Sequence, residues 1–158
     1  MRRRLGDLGY WRAELQLAET YDPARGRMRI EFRALPGRRA HLELRGRSGL
    51  AARLVSQVRQ LVREGAASAD SLEAGAELIE SRLRAQGHRD ASARATLEPH
   101  APDEIVVYDV KGGAVASVAA VELRGADPAL LAGLRTQPGR PLEDAALTED
   151  ARVLSARL

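Results

Sequence analysis

The apolar residues of the chain fall into strand-like and helix-like patterns that follow one another in a regular order. Ala40, Leu42 and Leu44 alternate with polar residues, which predicts a strand with one buried face. Two segments with helical spacing follow, and their apolar residues are Leu50, Leu54, Val58, Leu61 and Val62, then Leu72, Ala76, Ile79 and Leu83. Two more strands are predicted from two alternating sets, namely Ala91, Ala93, Ala95 and Leu97, then Val106, Tyr108 and Val110. The predicted order is β-α-α-β-β.

Turn and cap residues fit between these elements. Residues 46–49 (GRSG) predict a turn after the first strand, with Ser48 as the cap of the first helix. Asp70 followed by Glu73 predicts a capping box for the second helix. Gly87 stands where a left-handed residue commonly ends a helix.

Part of this pattern occurs twice. Residues 41–46 (HLELRG) recur as residues 120–125 (AVELRG), a shift of 79 (125 minus 46). Residues 5–10 (LGDLGY) recur more loosely as residues 83–88 (LRAQGH), a shift of 78 (87 minus 9). Two separate segments with nearly the same shift indicate a repeat of about 78 residues. We therefore expect three segments: the C-terminal part of one unit at 1–37, a complete unit at 38–113 and the N-terminal part of a third at 114–158.

The two partial units carry the elements that this division requires. In the first, a strand from Trp11 to Leu17 leads through a turn at residues 22–26 into a strand with Met28, Ile30 and Phe32. In the last, Val121 and Leu123 predict a strand, and Asp127 with Pro128 predicts the start of a short helix. A second helix is expected between Leu142 and Leu158.

The pattern resembles the POTRA repeats of outer-membrane protein assembly factors, the BamA and TamA group of barrel proteins. The similarity lies in residues 134–158, in LGDLGY at 5–10 and in the strand-ending LRG at 44–46 and 123–125. Gly139, Asp150 and the pair Gly9-Tyr10 match typical positions of the family. Two positions of the middle unit depart from it, because His88 follows the marker glycine and Gly75 stands where the last unit has Asp150. The resemblance implies an α+β fold in which each unit is a three-stranded mixed sheet, ordered first-third-second, with two helices on one face.

The composition offers no catalytic, metal or cofactor chemistry. The chain has no cysteine, which excludes disulfides and thiolate metal sites, and its three histidines show no metal-binding spacing. Neither a GxSxG elbow nor a Gly-rich phosphate loop occurs. No apolar run approaches a transmembrane length, and no signal peptide is visible, so an exported protein would carry its leader in a longer parent chain. We therefore expect no enzyme activity and no cofactor.

Two alternatives stay open. The KH fold of RNA-binding proteins also contains a β-α-α-β-β run, and residues 46–49 spell its GxxG tetrapeptide. In KH domains that loop joins the two helices, whereas here it follows the first strand, and the chain has few aromatic residues for base stacking. Nucleic acid is therefore not an expected partner. The second alternative is the POTRA region of a two-partner secretion transporter.

The resemblance implies a periplasmic docking module, attached to the outer membrane through a C-terminal β-barrel of its parent protein. The expected partners are unfolded outer-membrane proteins and the accessory lipoproteins of an assembly complex. An open sheet edge can receive a strand from such a client. We expect this edge at residues 12–17 and 89–97, with the flanking helix, and the candidate residues are Arg89, Ala91, Ala93, Ala95, Leu97, Leu50 and Leu54.

Overall fold

The computed structural model describes residues 2–46 and 50–157. The chain forms two compact units, one of Met1–Ala76 with Arg94–Asp109 and one of Glu77–Ala93 with Val110–Leu158. The elements in chain order are α1 (Arg2–Asp7), β1 (Glu14–Asp22), β2 (Arg27–Leu35), β3 (Ala40–Gly46), α2 (Ala52–Glu64), α3 (Ala69–Ala85), β4 (Ser92–His100), β5 (Asp103–Lys111), a 3-10 helix (Pro128–Leu131) and α4 (Asp144–Arg157). The predicted α+β class is confirmed. Within the described ranges, no helix has both the length and the apolar character needed to cross a membrane.

The middle of the chain forms a three-stranded sheet in the order β3-β5-β4. Together with α2 and α3, these strands give the β-α-α-β-β succession predicted for residues 38–113, with the last strand in the centre as expected. Val106, Val107 and Tyr108 of β5 are completely buried, as a central strand requires. Leu54, Val58 and Val62 form the buried stripe of α2. This layout leaves β4 at an outer edge of the sheet.

The helix caps differ from those predicted. The Ser68 hydroxyl accepts the N–H of Ser71 at 3.3 Å, and the Ser68 carbonyl accepts the N–H of Leu72 at 3.0 Å. Helix α3 therefore begins at Ala69, and Asp70 lies inside its first turn, so the prediction of Asp70 and Glu73 as a capping box is wrong. The predicted cap Ser48 lies outside the described residues. Helix α2 begins at Ala52 without a side-chain cap.

The first two strands form an antiparallel hairpin that pairs from Glu14 with Leu35 to Asp22 with Arg27. The predicted turn at residues 22–26 is confirmed, and the Asp22 carboxylate accepts the N–H of Ala24 at 3.0 Å. Trp11, predicted to lie in the strand, lies in a turn before it and is 8% exposed. The reason is local, because the Trp11 N–H bonds to the carbonyl of Gly9 and holds the chain in a turn.

Gly9 and Gly87 occupy matching positions in the chain. Each has a positive φ, 93° and 90° respectively, which a residue with a Cβ rarely adopts. The Gly9 carbonyl accepts the N–H of Ala40 at 2.8 Å, and the Gly87 carbonyl accepts the N–H of Ala116 at 2.8 Å. The two marker glycines of the predicted repeat thus make the same backbone connection to the chain segment that follows.

The predicted strand at Val121 and Leu123 is not formed. Residues 118–124 carry no strand assignment, and both side chains are half-buried. The nearest pairing is an isolated bridge between Ser117 and Pro141. A strand needs a neighbour for its backbone hydrogen bonds, and no named strand in the described part of the chain pairs with this segment. The helix start predicted after it is confirmed, since the Asp127 carboxylate accepts the N–H of Ala129 at 2.9 Å.

A tyrosine accounts for Gly75 at the position that corresponds to Asp150. The Tyr108 hydroxyl donates a hydrogen bond to the carbonyl of Leu72 at 3.0 Å. A Cβ placed on Gly75 would overlap that hydroxyl oxygen. Burial also raises the pKa of Tyr108 to about 12. The Tyr108 side chain therefore fills the space beside Gly75, whereas Asp150, at the corresponding position of the predicted repeat, carries a carboxylate.

Candidate functional site

The outer edge of β4 is the candidate site, and it is shifted by three residues from the predicted range. The strand runs from Ser92 to His100, whereas the sequence predicted an edge beginning at Arg89. Arg89 lies in a turn, where its N–H bonds to the Gly87 carbonyl at 3.0 Å. The Ala91 N–H bonds to the carbonyl of His88 at 3.1 Å, which continues the turn. Gly87 has a positive φ and lies in the turn that precedes the strand, and the strand starts three residues after the first residue of the predicted edge.

Two of the predicted site residues already have partners. The Arg89 guanidinium lies 2.6 Å from the carboxylate of Asp144. Ala91 is 2% exposed, and its carbonyl accepts a hydrogen bond from Arg84 at 3.2 Å. Both residues precede the first residue of β4, so neither belongs to the strand edge that could receive an added strand.

The side chain of Glu80 binds the backbone N–H of Ala93, near the start of the edge. Its carboxylate accepts the N–H of Ala93 at 2.9 Å, and it also forms an ion pair with Arg84 at 2.7 Å. In a strand paired on one side, alternate residues direct their backbone groups away from the partner. Because the Ala93 N–H points to Glu80 and not to β5, the N–H groups of Ala95 and Leu97 point to the same outer side.

Proline limits the other end of this edge. Pro99 follows the same alternation as Ala95 and Leu97 but has no N–H to offer. The backbone available for strand addition is therefore centred on Ala95 and Leu97, both half-buried. A carboxylate and a proline at the two ends are devices that limit uncontrolled pairing at a sheet edge.

The two candidate residues outside the strand, Leu50 and Leu54, are not fully exposed. Leu54 is 8% exposed and belongs to the core of its unit, so its side chain is turned away from solvent. Leu50 is half-buried in the segment that precedes α2. Of the seven predicted residues, Ala95 and Leu97 therefore remain the best placed for contact with a partner.

The chain also presents an apolar surface that the sequence analysis did not identify as a site. One face of the β1-β2 hairpin carries side chains that are 47% to 65% exposed, namely Leu15, Leu17, Tyr21, Met28, Ile30 and Phe32. Leu17 pairs with Phe32 and Tyr21 with Met28, which places these residues on the same face. The alternation correctly predicted an apolar face but not that it would be open.

The histidines do not form a metal site in the described part of the chain, where no group of three or more His, Asp or Glu side chains is arranged to hold a metal ion. His41 lies 3.1 Å from the carboxylate of Asp103. His88 is buried, and its ring nitrogen lies 3.3 Å from the carbonyl of Gly113.

Asp150, one of the residues that carry the family resemblance, holds a loop in place. Its carboxylate accepts the backbone N–H groups of Arg135 at 2.9 Å and Thr136 at 2.6 Å. The hydrogen bonds from Thr136 and then from the Arg135 backbone hold the pKa of Asp150 below its ordinary value of 3.8. This residue fixes the segment after the 3-10 helix against α4.

Replacing Asp150 tests this role. Asp150→Ala leaves two backbone donors without their acceptor, so we expect a clearly lower urea midpoint, and Asp150→Asn should recover part of the loss. A lowered folded-state pKa stabilises the fold above the unfolded-state pKa, and the gain is lost as the pH falls. The difference between wild type and Asp150→Asn should therefore be constant near neutral pH and shrink as the pH drops below about 4. A difference that does not change with acidification would contradict the ionised, hydrogen-bonded carboxylate.

Solved structures similar to the chain are POTRA domains. POTRA3–5 of BamA from Haemophilus influenzae is 14% identical, with a match that covers 94% of this chain and 63% of that one at a TM-score of 0.40. The N-terminal domain of Omp85 from Thermosynechococcus elongatus is 21% identical, with 96% and 67% covered and a TM-score of 0.39. POTRA1–3 of the periplasmic domain of Omp85 from Anabaena is 14% identical, with 91% and 64% covered and a TM-score of 0.37.

The chain resembles these POTRA domains, as its sequence predicted. It spans less than two thirds of the length of the Haemophilus influenzae structure. No protein-family model and no curated protein matches the chain. Each of the TM-scores above lies below 0.5, so the strand order and the hydrogen bonds of the chain itself carry its fold assignment.

Proposed function

We propose that the chain is a docking module in the periplasmic arm of an outer-membrane β-barrel assembly protein, and that the outer edge of β4 receives an extended client segment by strand addition. The observation that carries this proposal is the position of β4 at the sheet edge, with the outward backbone groups of Ala95 and Leu97 between Glu80 and Pro99. Backbone hydrogen bonds depend little on the sequence of the added strand. Such an edge therefore suits a receptor for many unfolded outer-membrane proteins.

The side chains of the edge fit the same role. Ala93 and Ala95 are small, and Leu97 is half-buried, so the strand offers backbone and a shallow surface rather than a deep pocket. A shallow surface selects weakly among side chains, whereas pockets for alternate residues would select strongly. The proposal is non-catalytic, and it places the unit in tandem with further units of the same fold.

The two matching backbone connections, from Gly9 to Ala40 and from Gly87 to Ala116, support the tandem arrangement. Gly9 and Gly87 share their φ values and their bonds to the following segment, as Ala40 and Ala116 show. We infer that residues 1–37, 38–113 and 114–158 are the end, the whole and the beginning of three successive repeats. In this proposal the parent protein anchors them to the outer membrane through a C-terminal barrel and holds accessory lipoproteins. A two-partner secretion transporter would use the same edge for a different client.

A backbone NMR titration with short peptides from outer-membrane-protein strands tests the binding edge. We expect the amide signals of Ala95 and Leu97 to shift. Ala95→Pro should weaken binding about tenfold, because it removes an outward donor worth about 1.5 kcal/mol. Ala95→Val keeps the N–H and is the matched control, expected to bind within about twofold of wild type.

Two results would reject this site. Shifts confined to other parts of the chain would place the peptide elsewhere, and equal binding by the two Ala95 variants would exclude an edge contact at this residue.

A parallel titration with single-stranded RNA tests the KH-like alternative. Salt-sensitive shifts near residues 46–50 would favour RNA over a protein client.

A further inference from the structure

Two side chains of α3 hold backbone groups at the start of the β4 edge. The Glu80 carboxylate accepts the N–H of Ala93 at 2.9 Å, and the Arg84 guanidinium donates to the carbonyl of Ala91 at 3.2 Å. The same guanidinium lies 2.7 Å from the Glu80 carboxylate, so the two side chains form one connected group. We call Glu80 and Arg84 the edge pair.

The edge pair makes the hydrogen bonds that a neighbouring strand would make. In a sheet, an outward carbonyl and the outward N–H two residues later bond to an N–H and a carbonyl of the next strand. Here the guanidinium of Arg84 takes the place of that N–H, and the carboxylate of Glu80 takes the place of that carbonyl. Ala91 precedes β4, so the edge pair continues the line of the strand by one residue.

The two ends of the edge differ in how permanent their protection is. Pro99 has no N–H, so the backbone at that end can never donate to an added strand. The edge pair consists of flexible side chains that stay in contact with solvent, since Glu80 is 22% and Arg84 is 48% exposed. A surface ion pair contributes little to stability, because water solvates both charges well.

Displacement of the edge pair leaves no backbone group without a partner. An added strand brings a carbonyl for the N–H of Ala93 and an N–H for the carbonyl of Ala91, so the backbone bonds are exchanged one for one. The side chains of Glu80 and Arg84 become free to interact with water. The main opposing contribution is therefore the ordered contact between the two charged groups.

We propose that the edge pair is a displaceable cover that sets how strongly the β4 edge binds an extended client segment. The inference rests on the proposed strand addition at β4. A short segment contacts Ala95 and Leu97 alone, whereas a longer one takes over the backbone groups of Ala91 and Ala93 and moves both charged side chains into solvent. Because salt screens the ion pair, a segment without charges should bind more tightly as the salt concentration rises.

Amide hydrogen exchange in the free protein tests whether the cover holds the backbone. Glu80→Ala removes the acceptor of the Ala93 N–H, so this amide should exchange about tenfold faster or more. The amides of β5 should keep their wild-type rates. Glu77→Ala is the matched control, because Glu77 is an exposed acid on the same helix. Glu80→Gln keeps an acceptor oxygen without the charge, and it replaces Glu80→Ala in all measurements if that variant does not fold.

Peptide titrations followed by NMR test the displacement itself. A peptide with blocked ends and no charged side chains should bind Glu80→Ala about threefold to tenfold more tightly than wild type, because it no longer competes with the ion pair. Raising sodium chloride from about 0.05 M to about 0.5 M should tighten binding by wild type more than binding by Glu80→Ala. Arg84→Ala should also tighten binding, whereas Arg82→Ala, at an exposed position of α3, should not.

Three results would overturn the proposal, and they are distinguishable from one another. Exchange of the Ala93 amide that is the same in Glu80→Ala and Glu77→Ala would show that the edge pair does not hold the backbone. Peptide shifts at Ala95 and Leu97 with equal affinity in wild type and Glu80→Ala would keep the proposed function and reject the displacement. Absence of binding at β4 in both proteins would reject the proposed function, and the displacement with it.

Discussion

Gly87→Ala is expected to destabilise the protein by about 2–6 kcal/mol, since backbone strain and a steric clash each contribute about 1–3 kcal/mol. Gly87 has a φ of 90°, which a residue with a Cβ adopts only with strain. The added Cβ would also lie 2.7 Å from the carbonyl oxygen of Leu142 and 3.2 Å from the side chain of Val115. A backbone oxygen cannot rotate away, so the chain itself must shift. Urea unfolding followed by circular dichroism measures the loss.

Gly9→Ala is the matched control for this substitution. Its φ is 93°, but the nearest atom to an added Cβ is the carbonyl oxygen of Ala40 at 3.6 Å, which is an ordinary contact. We therefore expect only the strain contribution of about 1–3 kcal/mol. The difference between the two variants isolates the clash with Leu142. Equal losses would mean that the surroundings of Gly87 can relax and that conformation alone accounts for the effect.

Gly75→Ala is expected to cost about 2–3 kcal/mol although alanine favours helices, because the new Cβ meets the Tyr108 hydroxyl. The ring must move, and its hydrogen bond to Leu72 is lost. Tyr108→Phe removes the hydroxyl oxygen, which is the nearest clashing atom, and leaves the ring carbon Cζ 2.9 Å from the added Cβ. By itself this substitution should cost about 1 kcal/mol. The double variant should therefore be more stable than the sum of the two losses predicts.

The coupling between these two substitutions is the decisive quantity. Residues in contact commonly show interaction energies of about 0.5–3 kcal/mol in a double-mutant cycle. Additive losses would show that Tyr108 does not restrict position 75.

A second measurement is the stability of the protein at alkaline pH. Because the pKa of Tyr108 is raised in the folded state, its contribution to the free energy of unfolding is present below the ordinary tyrosine pKa of 10.0 and is lost as the pH rises towards about 12. The stability of the wild type should therefore fall relative to that of Tyr108→Phe over this pH range.

The sequence predicted the strands β3, β4 and β5 well because the signals for each strand are local. Alternation placed β3, β4 and β5 within a few residues of their observed bounds, and Gly87 marked the turn before β4. The order of the strands came from the family resemblance and not from the pattern. The cap of α3 was misplaced because Ser68 and Asp70 are both good cap residues and lie two positions apart. In the structure the Ser68 hydroxyl accepts the N–H of Ser71.

The candidate site was predicted only in outline for a different reason. Glu80 has the sequence context of a solvent-exposed helix residue paired with Arg84, and nothing in it predicts a bond to the N–H of Ala93. The alternation of residues 15–17 and 28–32 predicts an apolar face, yet it carries no information on whether a partner is present to cover it. Val121 failed as a strand residue for the same reason, because a strand needs a neighbour as well as a pattern.

The backbone connection at Gly9 and Gly87 bears on how such a chain can change over evolutionary time. Both donors and both acceptors are main-chain atoms, so the connection requires a glycine and no particular side chain in the following segment. Recombination at these glycines would exchange or duplicate a block of 78 residues (87 minus 9) while keeping each new connection intact. The side chains of each block could then diverge independently, which is consistent with two predicted copies that share a glycine turn and the sequence LRG but little else.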